Sequence, residues 1–142
     1  MSWDADLLRR VPGKVTSLDF VGQPRVAVVH DVAVYRQDRS WNFTHNTSPM
    51  IYATLLDADA LPPSPDGRGC VVWWRHLDGM TGAEGWALLR IIVAGLEADP
   101  ERFRALNPPN GWGDYDSLLR VLREMRAACA VEDPDRVWEA SG

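Results

Sequence analysis

Short runs with every second residue apolar crowd the first third of the chain, and apolar residues three and four apart take over after Ser48. The first pattern belongs to half-buried strands and the second to amphipathic helices. Lys14 to Phe20 and Arg25 to Val29 are short and rich in Val, with Gly22-Gln23-Pro24 between them as a turn. Asp31 to Arg36 sets Val32, Val34 and Arg36 against Ala33 and Tyr35. Gln37-Asp38-Arg39-Ser40 reads as a polar turn, and Trp41 to Thr44 resumes the extended pattern. Together these predict a small, mostly antiparallel sheet.

Helical signals follow. Ser48 before Pro49 reads as a cap residue ahead of proline at the first helical position, leading into Met50 to Asp57. Asp59 to Gly69 holds three prolines and two glycines and is a loop, while Cys70 to Leu77 fits either a strand or a short buried helix. Thr81-Gly82-Ala83-Glu84 is a capping box. The helix it opens, through about Ala98, has Arg90 as its only charge between Gly85 and Leu96, so other elements should pack around it. Asp99-Pro100 starts a short helix, Asn107 to Gly113 is a stiff loop, and Asp114 caps a last helix through about Ala130. Its stripe is Leu118, Leu122, Met125 and Cys129. Arg136 to Ser141 reads as a closing strand that pairs with an N-terminal one.

The expected fold is therefore α+β: a small, mostly antiparallel sheet packed against about three helices, one of them central and apolar. One domain is expected over residues 1–142, with 1–47 mainly β, 48–131 mainly α and 132–142 a terminal strand.

Composition narrows the function classes. The chain has 142 residues with 15 Lys plus Arg against 20 Asp plus Glu, a formal charge of −5. That balance lacks the basic face a nucleic acid requires. No apolar stretch is long enough to span a bilayer, and the acidic start Met1 to Asp6 lacks the features of an export signal. Cys70 and Cys129 are isolated and in no metal-ligand spacing. The expectations are a cytoplasmic protein, no nucleic acid, no membrane and no cofactor. Seven tryptophans are many for this length and are core or interface material.

Two segments carry candidate chemistry. Asn42-Phe43-Thr44-His45-Asn46 lies where a strand hands over to a helix N-terminus, a place that favours an anion or an oxygen-rich ligand. His45 there could serve as acid, base or hydrogen-bond donor. The simpler alternative has Asn46, Thr47 and Ser48 capping the helix while His45 packs locally. The second segment is Asn107-Pro108-Pro109-Asn110-Gly111-Trp112-Gly113-Asp114-Tyr115. Its prolines stiffen the chain, Asn110-Gly111 is a turn pair, and Trp112 between glycines offers an aromatic platform. The alternative is a lid in which Trp112 closes one end of the core. His30, Asp31, His45, His76 and Asp78 lack the spacing of a metal site, and no nucleophile elbow or phosphate-binding loop occurs. The acidic pairs Asp57/Asp59 and Asp133/Asp135 read as solvated loop residues.

Together the two segments resemble a family of small actinobacterial and phage-borne proteins. That family carries N-x-T-H-N followed by a helix with an early Met, then D-P-E-R-F, N-P-x-N-G-W-G-x-Y, a helix ending near A-C, and a short terminal strand. Here these are Asn42 to Asn46, Met50, Asp99 to Phe103, Asn107 to Tyr115, and Ala128-Cys129. The resemblance spans roughly residues 41 to 141 and implies no activity. It does imply a phage link, and with it a role in host–phage interaction.

The leading functional expectation is a non-catalytic binding module, with His45, Asn46, Asn110, Trp112 and Tyr115 gathered around an unknown polar, partly planar ligand or a protein surface. A small enzyme using His45 as acid/base, with Asn46 and Asn110 orienting substrate, is the second reading. The third is a structural or oligomeric adaptor, including a homodimer, anchored by rings such as Trp73, Trp74 and Trp138. All depend on the two motifs meeting in space.

Overall fold

The computed structural model describes residues 2–19, 26–64, 66–67, 72–129 and 136–141. Three strands, β1 (Ser2–Asp19), β2 (Val26–Thr44) and β3 (Arg136–Ser141), form an antiparallel sheet in the order β2-β1-β3. Among the described residues five helices complete it: α1 (Ser48–Asp57), α2 (Trp73–Leu77), α3 (Gly82–Ala98), α4 (Pro100–Arg104) and α5 (Tyr115–Ala128). The α+β architecture follows the residue pattern, with α1, α3 and α5 as the main helices.

The strands are longer than the pattern suggested. β1 begins at Ser2 and pairs with β2 from Ser2–Thr44 to Asp19–Val26, so the separate short segments are two arms of one ribbon. The stretch expected as a turn at Gln37 to Ser40 runs straight through. Leu7 pairs with Arg39 and Leu8 with Gln37, which leaves Asp38 as the extra residue of a bulge. The turn at Gly22-Gln23-Pro24, Cys70, and the acidic pair Asp133/Asp135 lie outside the described residues.

β3 adds to β1 from Asp4–Ser141 to Arg9–Arg136. Alternation then explains the inner face: Ala5 and Leu7 of β1, Trp41 and Phe43 of β2, and Trp138 and Ala140 of β3 are all buried. Helices cover this face. α3 contributes Leu88, Leu89, Ile92, Val93 and Leu96 to the core and packs against α1, α4, α5 and β3, the central place its apolar sequence predicts. Two glycines permit the close packing of α3. A side chain at Gly85 would strike the Trp138 indole, and one at Gly95 would lie 2.8 Å from Thr54 Cβ of α1.

The cap signals are realised with one shift. Thr81 Oγ1 accepts from the Glu84 N–H at 3.2 Å and Glu84 reaches back to the Thr81 N–H, closing the capping box. Asp99 caps α4 and Asp114 caps α5, through bonds from Arg102 N–H (3.3 Å) and Ser117 N–H (2.7 Å). Ser48 is not a cap: it is the first residue of α1, behind a 3-10 turn over His45–Thr47 that Thr44 caps instead. Of the segment 70–77, the described part forms α2 over Trp73–Leu77, its first N–H donating to the Tyr52 hydroxyl at 3.2 Å. Asp57 is solvent-exposed, as expected, and there pairs with Arg102 at 2.6 Å across the α1–α4 surface. Among the described residues no helix is long and apolar enough to cross a membrane.

Candidate functional site

The strand-to-helix junction is built by threonines. Thr44 Oγ1 accepts from the Asn46 N–H at 3.3 Å, and Thr47 Oγ1 donates to the Thr44 carbonyl at 3.0 Å. These bonds turn the chain sharply at the end of β2, leaving Asn46 exposed and His45 half-buried.

The loop before α5 is fixed from within. Gly111 N–H donates to the Pro108 carbonyl at 3.2 Å, and Trp112 N–H donates to Asn110 Oδ1 at 3.0 Å, a side-chain turn that holds the loop tip. Asn107 Oδ1 receives the Tyr115 N–H at 2.8 Å and ties the loop's start to its end. Gly111 and Gly113 have φ of +74° and +91°, in the left-handed region that favours glycine.

The two motifs meet. Asn46 Nδ2 donates to the Trp112 carbonyl at 3.4 Å. Gly113 lies so close to the junction that a Cβ there would be 2.6 Å from Thr44 Cγ2 and 2.9 Å from Thr47 Cγ2. Beside this contact is a shallow groove of about 100 Å³. Asn42, Phe43, Thr44 and Thr47 line one side, and Gly113, Asp114, Ser117, Leu118 and Val121 the other.

The five expected site residues fare differently. Trp112 is 71% exposed, so its ring does not close the core as a lid would. Asn46 and Asn110 are exposed, but each spends a side-chain atom in positioning the Trp112 backbone. Tyr115 is 1% exposed and belongs to the core: its hydroxyl donates to the Leu96 carbonyl at 2.7 Å, and its ring stacks with Phe103 at 6.4 Å. Burial raises the Tyr115 pKa above its ordinary value, so the group stays a neutral donor. Outside, the Arg104 guanidinium lies 5.0 Å from the Tyr115 ring while bonding Asp116 and Glu101, and the Asp116 bond raises its pKa. None of the five lines the groove.

Asn42, Phe43, Thr44, Gly113 and Asp114 of the lining fall within the two segments singled out in the sequence, but Ser117, Leu118 and Val121 of α5 were not expected at a site, although part of the signal is there. Asp114, Ser117, Leu118 and Val121 recur at helical spacing and therefore share one face of α5. What the spacing omits is that the end of β2 lies against that face. The ring anchors expected for an adaptor are mostly internal, with Trp73 at 0% and Trp138 at 1% exposure. Among the described residues no three His, Cys, Asp or Glu side chains stand close enough to hold a metal ion. No family model, curated protein or solved structure matches the chain.

Proposed function

We propose that this protein is a non-catalytic binding module whose contact point is the Trp112 loop and the adjoining groove. The observation that carries this is the exposed Trp112 indole held on a loop whose backbone is pinned on both sides. A tryptophan on a fixed backbone has only two side-chain torsions left to order, and such rings dominate binding energies. The groove's volume argues for what it binds. Enclosed small-molecule sites run to roughly 300–1,000 Å³, whereas this groove of about 100 Å³ accommodates one or two side chains. An exposed segment of a partner protein fits better than a nucleotide or sugar. The family resemblance supports a role in host–phage interaction or regulation, and two isolated cysteines, of which Cys129 is a free buried thiol, suit a cytoplasmic setting.

The enzymatic alternative has less support. His45 does not line the groove, so a substrate seated there would not meet it as acid or base.

The test places a photo-crosslinking residue at exposed Pro109 of the same loop to capture the partner, then measures affinity by calorimetry for wild type and Trp112→Ala. Loss of a hot-spot ring weakens binding by roughly 30-fold or more. The melting temperature should hold, because the ring is in solvent. A Trp112→Ala protein that binds normally but melts several degrees lower would show the ring to be structural.

A further inference from the structure

We propose that the outer edge of β2 is a homodimer surface, on which a second copy of the chain pairs its own β2 antiparallel about His30. Exposed sheet edges attract other strands, and natural proteins guard them. This sheet guards two of its three open stretches. The outer edge of β3 is covered by the segment after α2: Gly79 N–H donates to the Trp138 carbonyl and Trp138 N–H to the Met80 carbonyl, both at 2.8 Å. Thr81 bridges Val137, and Asp78 Oδ1 takes the Ala140 N–H at 2.9 Å. β1 is paired by β3 only from Asp4 to Arg9. Beyond that it carries Pro12, which has no N–H to offer, and Lys14, the one lysine in the chain.

β2 has neither device. It stands at the margin of the sheet, and Val26–Thr44 contains no proline and no lysine. From Arg10–Tyr35 to Asp19–Val26 the ribbon has two strands and, among the described residues, no third. Such a two-stranded ribbon is marginal in water by itself. A further strand on β2 would supply what it lacks.

The sequence indicates that the further strand is β2 itself. Val26-Ala27-Val28-Val29-His30-Asp31-Val32-Ala33-Val34 reads almost the same from either end, with Val26 matching Val34, Ala27 matching Ala33 and Val28 matching Val32 about His30. Two copies related by a two-fold axis perpendicular to the sheet pair antiparallel, with one residue opposite itself and residues equally spaced on either side of it opposite each other. Centring on Asp31 would set two carboxylates opposite, which is unfavourable. Centring on His30 sets Val28 opposite Val32 of the second copy and Val26 opposite Val34, each twice, and uses the whole apolar stretch. The contact is isologous and closes after one partner, joining two three-stranded sheets into one.

Sedimentation velocity over a range of concentrations tests this on wild type and on Val28→Lys/Val32→Lys. The expected result is a reversible species of twice the chain mass for wild type and a monomer for the variant, with unchanged helix content by circular dichroism. Hydrogen exchange on wild type is the second readout and keeps the test decisive if the variant does not fold. Amide protection over residues 26–34 should rise with protein concentration, while protection in α3 should not. A wild type monomeric at every concentration, a folded variant that still dimerises, or protection that rises elsewhere would overturn the proposal.

Discussion

Replacing Gly85 with alanine sets two effects of opposite sign against each other. Helix propensity favours alanine over glycine in a helix interior by about 0.8–1.0 kcal/mol, and Gly85 lies in the first turns of α3. Against this, the new methyl would be driven into the Trp138 indole. That ring cannot retreat easily. Trp138 is hydrogen-bonded through both backbone groups to the Gly79–Met80 segment, and Trp41 packs near it at 5.6 Å. Overpacking of a fixed core costs roughly 1–3 kcal/mol, and the pinned ring places Gly85→Ala towards the upper end. The net expectation is a loss of about 1–2 kcal/mol, or roughly 3–8 °C in melting temperature for a chain of this size. Urea denaturation read by tryptophan fluorescence measures it, with exposed Ala87→Gly on the same helix calibrating propensity alone at about 1 kcal/mol. If Gly85→Ala were more stable than wild type, the tight packing of β3 against α3 would be refuted.

Asp114→Ala removes the α5 cap and should cost about 1 kcal/mol by urea denaturation, a change Asp114→Asn should largely recover. Tyr115→Phe leaves the Leu96 carbonyl without its donor and should cost roughly 0.5–1.5 kcal/mol, with no change in binding at the Trp112 loop. Burial pushes the Cys129 thiol from its ordinary 9.0 up to about 11, and the Trp138 indole and Arg136 offset this only in part. The native state then keeps a proton that the unfolded chain releases, so stability should fall as pH rises from about 9 to 11. Urea midpoints across that range should fall more steeply for wild type than for Cys129→Ala; parallel profiles would contradict the assignment.

What could be read from the residues was mostly local. The caps at Thr81, Asp99 and Asp114 depend on bonds within four residues, and each is found where its sequence places it. The capping of α1 was misassigned because Thr44, Thr47 and Ser48 are chemically alike, and only the end of β2 decides which one turns the chain. The first half of β1 was missed for a different reason. Ala5 and Leu7 alternate with Asp4 and Asp6, but two apolar residues make a weak strand until β3 arrives from the far end to bury them. Gln37 to Ser40 has the composition of a turn and forms a bulge, because pairing with β1 outweighs local preference. At the site, the nearness of the two motifs was a premise the sequence could not supply. The buried position of Tyr115, adjacent to a loop of exposed residues, was equally invisible, since it depends on α3 offering the Leu96 carbonyl.

The pairing of β1 with β3 also has a consequence for synthesis. β1 is made well before its partner β3, with residues 10–135 between the paired stretches. At roughly 5–20 residues per second, that interval is on the order of 10 s on the ribosome. From the time α3 is made until β3 follows, the place that Trp138 fills against α3 and beside Trp41 stands open. The nascent chain is therefore exposed to aggregation until β3 is made, and loss of residues 136–141 would make that condition permanent.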